Sequence, residues 1–167
     1  TFDTPSCLCL NKECFMEKAK YIEALNECTG LYVIFQLTDK CVMSCRYCFA
    51  KGTNDGKAST FSYVVLENVI KQSFKTRHKY VNFEFTGGEA FLVGVDFYKK
   101  VVELQKKYAT KDYFNCIQTS CYYKDEELID FLIKNNFQIS TTIDGTEKIH
   151  NANRPANGGK NSYSQVV

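Results

Sequence analysis

Apolar and polar residues alternate in four short runs of the chain, and between those runs the apolar residues return every three or four positions. The runs 31–38 (LYVIFQLT), 80–86 (YVNFEFT), 113–120 (YFNCIQTS) and 137–145 (FQISTTIDG) are rich in β-branched and aromatic residues and read as strands. Leu66, Val69, Ile70 and Phe74 fall on one helical stripe, and Phe97, Val101, Leu104 and Tyr108 on another. The segment 124–136 (KDEELIDFLIKNN) predicts a third helix, with acidic residues in the first turn complementing the dipole and Asn135 and Asn136 at its end. Residues 146–161 are rich in Gly and Asn and predict a loop, and the final SYSQVV reads as the opening of another helix.

Strand followed by helix, repeated, implies an α/β domain with a parallel sheet built from βαβ units. No short repeat period is present, so a solenoid is not required. Within the strands a second pattern stands out. Gln36 and Thr38, Asn82, Glu84 and Thr86, Gln118 and Ser120, and Ser140, Thr142 and Asp144 form one set of alternate positions. Phe35, Leu37, Phe83, Phe85, Ile117, Ile139 and Ile143 form the other and would face the helices. Parallel strands covered on both faces usually read as continuous apolar runs. The pattern therefore describes either a half-solvated sheet or the wall of a barrel whose interior holds a polar ligand at the strand C-termini.

Composition narrows the class. A chain of 167 residues, 44% hydrophobic and 14% aromatic, can bury one core. Its 21 Lys and Arg nearly balance 19 Asp and Glu without a basic block, which argues against nucleic acid or a membrane surface as partner. Without a membrane-length apolar run or a secretory leader, the expected location is cytoplasmic. The start at Thr1 and the end on an opening helix suggest a segment of a longer protein: a cysteine-containing lead-in over 1–30 and a core from 31 to 167.

Nine cysteines, an odd number in such a chain, point to metal or redox chemistry more than to a disulfide framework. Three of them, Cys41, Cys45 and Cys48, lie in CVMSCRYCF (41–49), directly after the first predicted strand. Thiolate sulfur selects zinc, copper(I) or iron–sulfur clusters. A closed zinc site needs a fourth ligand, here from Cys7, Cys9, Cys14, Cys116 or His78, and no pairing rhythm singles one out. Three thiolates on a four-iron cluster instead leave one iron open to a ligand, a vacancy that a four-cysteine ferredoxin cluster lacks. In FTGGEAF (85–91), Gly87 and Gly88 let a turn present its backbone to a ligand, and Glu89 can accept from a cation; the same residues also make a plain tight turn. Glu84, pointing inward, reads as the partner of a Lys or Arg before it reads as a chemical group. His150 fits either the surface or the core.

These residues resemble the radical S-adenosylmethionine enzymes. CVMSCRYCF is similar to their CxxxCxxC signature, including the aromatic Tyr47 before the third cysteine. The resemblance implies a partial (β/α)6 TIM-like barrel of which only the first four strands are present. It also implies a [4Fe–4S] cluster on Cys41, Cys45 and Cys48, with S-adenosylmethionine on the open iron. One electron would cleave the sulfonium and give a 5′-deoxyadenosyl radical. GGE at 87–89 looks like the family turn that receives the methionyl amino group. TTIDGTEKIHNANRP (141–155) is similar to the corresponding segment of the SPASM-type peptide and protein maturases, above all the anaerobic sulfatase-maturating enzymes. There, residues at the places of Thr142 and Arg154 bind S-adenosylmethionine, so the resemblance assigns Tyr47, Thr86, Gly87, Gly88, Glu89, Thr142 and Arg154 to the cofactor. It implies a peptide or protein substrate and a reductant such as flavodoxin or ferredoxin. Alternatives are a family member acting on a small molecule in cofactor biosynthesis, or a non-enzymatic iron–sulfur or zinc protein. The chain departs from the family pattern where Ser120-Cys121 replaces Asn-Gly, Ala90 replaces proline and Thr86 replaces glutamine. No catalytic base is identifiable within it.

Overall fold

The computed structural model describes residues 29–50 and 61–167. Four parallel strands, β1 (Gly30–Gln36), β2 (Tyr80–Thr86), β3 (Asp112–Gln118) and β4 (Phe137–Ser140), lie side by side in sequence order. Helices α1 (Tyr63–Phe74), α2 (Val95–Tyr108) and α3 (Glu126–Lys134) connect them, and α4 (Glu147–Asn153) and α5 (Tyr163–Val166) follow. A 3-10 turn, Ala90–Val93, lies between β2 and α2. Asp125 caps α3 by accepting from the Leu128 amide, with Glu126 and Glu127 in the first turn, as the acidic start of that segment predicts.

The expected alternation sorts the sheet into two faces. Phe35, Phe83, Phe85 and Ile117 are buried against the helical stripes led by Leu66 and Ile70, by Tyr98 and Val101, and by Leu128 and Leu132. The Phe35 and Phe85 rings stack at 5.2 Å between centroids and Tyr98 meets Phe85 edge-on at 5.8 Å, geometries that add to the burial itself. A reciprocal pair of amide bonds between Gln105 and Asn115, at 2.6 and 3.0 Å, satisfies the polar groups that α2 and β3 bury.

The other face is graded. Its N-terminal end is mostly apolar, with Tyr32 68% and Ile34 64% exposed and Phe114 also open, and Asn82 lies between Tyr32 and Phe114. The parallel register then sets Glu84 between Ile34 and Cys116, and Gln36 beside Thr86 at the strand C-termini. Among the described residues Glu84 makes no ion pair, so its expected Lys or Arg partner is not among them.

Two expectations fail. β4 stops at Ser140, so the alternation does not continue to Ile143, which is exposed instead of facing helices. The predicted loop 146–161 contains helix α4, which opens on Thr146 and buries His150. Asparagines weaken its helix propensity, but a short helix takes its stability from packing, here His150 edge-on to Tyr163 of α5 at 5.6 Å. No helix among the described residues is long and apolar enough to cross a membrane.

Candidate functional site

The chain leaves β1 and passes beside the turn that ends β2. The Leu37 amide donates to Thr86 O at 2.8 Å, and the Gly88 and Glu89 amides donate to Thr38 O and Lys40 O, both at 2.7 Å. The two glycines belong to this seam. Gly87 has φ +142°, and a Cβ on it would stand 2.7 Å from Thr38 O, while one on Gly88 would stand 2.2 Å from Lys40 O. The sequence leaves open whether this turn offers its backbone to a ligand or is a plain tight turn; in the structure the amides of Gly88 and Glu89 hold the start of the cysteine loop.

The Glu89 side chain also turns inward. It is 1% exposed; Oε1 accepts from Thr119 Oγ1 at 2.6 Å and from the Phe91 amide at 3.2 Å, and Oε2 accepts from the Ser120 amide at 3.0 Å and the Ser120 hydroxyl. The carboxylate thus staples the β2 turn to the end of β3. Glu89→Gln keeps the shape but replaces one accepting oxygen with a donor facing Ser120 or Thr119. Unmatched buried groups of this kind cost about 1–3 kcal/mol. The expected result is a thermal midpoint lower by roughly 3–10 °C in the iron-free protein. An unchanged melting curve would remove the staple from the account. Next to Ser120, Cys121 has φ +57°, a left-handed backbone that favours glycine and accounts for the Asn-Gly that the family pattern carries there.

The far side of the cysteine loop pairs with the end of α4 and the segment after it. Arg46 and Ser44 amides donate to Asn153 O and Pro155 O, each at 2.8 Å, the Asn157 amide donates to Val42 O at 2.9 Å, and Met43 bridges Ala156 in antiparallel fashion. Backbone seams on both flanks therefore hold the loop. Between them a cavity of about 230 Å³ opens, lined by Cys41, Cys45, Cys48, Tyr47, Thr86, Gly87, Gly88 and Arg154, together with Met43, Phe49, Gln118, Thr119 and Ser120. Of the residues expected at a cofactor, Glu89 and Thr142 do not line it. Thr142 is exposed and meets the site through Gln118, whose Nε2 donates to Thr142 Oγ1 at 3.5 Å. Met43, Phe49, Gln118, Thr119 and Ser120 are additions that the sequence reading did not assign to the site, although Gln118 and Ser120 belong to its polar strand positions. A second hollow, about 340 Å³ beside Leu31 and α1, is almost wholly apolar and gathers no charged side chains.

Arg154 supplies the cavity's charge. It is 8% exposed, its Nη1 donates to the Tyr47 hydroxyl at 3.0 Å, and that hydroxyl donates to Asp144 Oδ1 at 2.9 Å. Nε is buried without a partner, and among the described residues no carboxylate makes an ion pair with the guanidinium. A buried guanidinium facing a cavity without an anion is the complement of a carboxylate ligand. His150 is a core residue: its Nδ1 accepts from the Asp144 amide at 3.3 Å, and burial, with Arg154 nearby, holds its pKa below the usual histidine value against the pull of Asp144.

Cys41, Cys45 and Cys48 are free thiols. Burial pushes the Cys41 thiol up to about 11, with Glu89 and the neighbouring cysteines adding to the rise and the Met43 amide opposing it. Burial raises Cys45 too, against the pull of Arg154. Three adjacent thiolates here call for positive charge of the kind a metal centre brings. Among the described residues no three cysteine, histidine or acidic side chains converge as a single metal ion requires. A cluster that takes one thiolate per iron does not need such convergence. Of the candidate fourth zinc ligands, Cys116 lies within β3 beside Ser140 and His78 lies ahead of β2, while Cys7, Cys9 and Cys14 fall outside the described residues. The donor set and a guanidinium without an anionic partner fit an iron–sulfur cluster with an anionic co-ligand.

The family profile of the Radical SAM superfamily matches residues 35–167. The chain belongs to this superfamily. Among its relatives, the cysteine-type anaerobic sulfatase-maturating enzyme of Clostridium perfringens is 34% identical over 133 residues, covering 75% of this chain and 36% of the relative. The serine-type anaerobic sulfatase-maturating enzyme of Bacteroides thetaiotaomicron is 32% identical over 133 residues, covering 76% and 32%. The solved structure of native anSMEcpe with bound AdoMet and Cp18Cys peptide superposes with a TM-score of 0.71 at 31% identity, covering 82% of this chain and 37% of that one. This radical SAM chain thus spans about a third of the length of the curated relatives it matches. Its parallel α/β sheet is the corresponding part of their fold.

Proposed function

We propose that this chain holds a [4Fe–4S] cluster on Cys41, Cys45 and Cys48 and seats S-adenosylmethionine beside it. On this reading it serves a peptide or protein maturase of the sulfatase-maturating type, which oxidises or cross-links a residue of its substrate. The observation that carries the reading is a single cavity lined by three free thiols and a buried guanidinium without an anion. When bound, the cluster and S-adenosylmethionine supply reductive cleavage of the sulfonium and a 5′-deoxyadenosyl radical.

The chain's own residues bind and orient. Arg154 offers paired donors to the methionyl carboxylate, and Tyr47, bonded to both Arg154 and Asp144, holds one terminal nitrogen of the guanidinium. Thr86, Gly87 and Gly88 form the cavity wall next to the loop, so any contact from this turn comes from Thr86 or from backbone; Glu89 acts behind the wall by holding it. Gln118 orients the Thr142 hydroxyl at the rim. The polar end of the open sheet face adjoins this cavity and is the surface offered to substrate. The peptide bound in the related solved structure supports a peptide substrate, and a flavodoxin- or ferredoxin-like carrier is the electron donor in this reading.

The test is anaerobic reconstitution with iron and sulfide, reduction, and addition of S-adenosylmethionine. The spectrum of the reduced cluster shifts and 5′-deoxyadenosine accumulates. Arg154→Met keeps the iron, but its half-saturating S-adenosylmethionine concentration rises about 30-fold or more, the scale for truncating one partner of a buried charge pair. A wild-type spectrum indifferent to S-adenosylmethionine sinks the proposal. Equal affinity in Arg154→Met removes the guanidinium from the carboxylate.

A further inference from the structure

We infer that Asn157 is a positioning residue for the cysteine loop, setting the spacing of Cys41 and Cys45 through two side-chain hydrogen bonds that reinforce one from its backbone amide. Its Nδ2 donates to Cys41 O at 2.8 Å, its Oδ1 accepts from Ser44 Oγ at 2.7 Å, and its own amide donates to Val42 O at 2.9 Å. One residue thereby grips the backbone at the first cysteine and the side chain just before the second. The grip depends on a sharp reversal after it. Gly158 and Gly159 have φ of +77° and +74°, and the chain closes on itself through the Gly159 amide to Ala156 O at 3.0 Å and the Ala156 amide to Lys160 O at 2.8 Å. The reversal follows directly on Asn157, and the preceding Ala156 pairs with Met43 and is buried with it and Cys41 in one small cluster.

Chemistry favours an amide at this position. A carboxylate accepts from Ser44 but cannot donate to Cys41 O, and it sets a negatively charged oxygen against that carbonyl oxygen. An alanine leaves Cys41 O and Ser44 Oγ without either bond. The rest of the loop retains its backbone seams to Gly88, Glu89, Asn153 and Pro155. Loss of Asn157 therefore loosens the spacing of the thiols more than it unfolds the domain.

The inference rests on the cluster reading of the three cysteines. The experiment compares wild type, Asn157→Ala, Asn157→Asp and Ser44→Ala as full chains, reconstituted anaerobically. It measures iron content, the rate of iron loss to a chelator and the thermal midpoint of the iron-free proteins. Expected are iron loss at least about fivefold faster in Asn157→Ala and Asn157→Asp, a smaller acceleration in Ser44→Ala, and iron-free midpoints within a few degrees of wild type. Loss rates within twofold of wild type in Asn157→Asp overturn the inference. So does an iron-free midpoint that falls with the same rank order as the loss rates, because Asn157 is then a general fold residue. If Asn157→Ala does not fold, Asn157→Asp and Ser44→Ala decide. A wild-type protein that takes up no iron fails at the earlier step and removes the cluster reading, an outcome distinct from a wild type and a variant that hold iron equally well.

Discussion

Cys45→Ala is expected to lose the cluster outright, from about four irons per chain to less than one, and with it all formation of 5′-deoxyadenosine. Cys45 lies partly buried between Ser44 and Arg46, whose amides are fixed to Pro155 O and to Asn153 O at the end of α4, so the loop cannot easily bring another thiol to its place. Among the described residues the cavity offers only Cys41 and Cys48 besides. A cluster held by two thiolates has two irons exposed to solvent and chelator. The iron-free variant should nevertheless melt close to wild type, because Cys45 is outside the main apolar core. Cys116→Ala is the matched control. That thiol sits within β3, 3.9 Å from Ser140 Oγ, and its loss should leave iron content unchanged. If Cys116→Ala also lost its iron, a four-thiolate centre would replace the open cluster and the proposed site for S-adenosylmethionine would lose its basis.

The elements that the sequence announces are those set by local periodicity. β2 falls on 80–86 as expected, and α2 ends on Tyr108, the last residue of its apolar stripe. Both are long enough for one buried face to dominate. α4 escapes because its seven residues carry no stripe, and its stability comes from His150 packed on Tyr163 across a turn. The cysteine loop and Arg154 were identifiable by motif, and the structure gathers them in one cavity. Roles that depend on long-range contact were not legible. Glu89 looks in sequence like a group waiting for a cation, yet its oxygens are taken by Thr119 and Ser120 from a different strand. Nothing in the spacing of residues 41 and 157 shows that an asparagine amide meets a cysteine carbonyl. Gly87 and Gly88 announce a special turn, but the sequence does not say that the neighbouring backbone, more than a ligand, is what requires them.

Gly88→Ala separates those two explanations. Gly88 has no left-handed φ, so alanine escapes that penalty and meets a steric one. The added methyl would stand 2.2 Å from Lys40 O, 2.7 Å from Lys40 C and 2.9 Å from Asp39 O, all backbone atoms that cannot rotate away. Turn and loop must move apart, which breaks the Gly88 amide bond to Thr38 O and the Glu89 amide bond to Lys40 O. It also pulls the Glu89 carboxylate from Ser120. Two lost backbone bonds and the groups left unmatched amount to roughly 3–5 kcal/mol, a thermal midpoint lower by about 6–20 °C for a chain of this size. Gly145→Ala provides the opposite case, with φ +74° but nothing within 4 Å of the new methyl. Its cost is the left-handed backbone alone, about 1–2 kcal/mol. The two variants should also differ in iron. Lys40 immediately precedes Cys41, so a displaced seam carries the first cysteine with it, and Gly88→Ala should reconstitute poorly where Gly145→Ala reconstitutes like wild type. A Gly88→Ala protein that melts and binds iron as wild type does would mean that the seam yields. The glycine would then be there for a ligand, as the family resemblance implies.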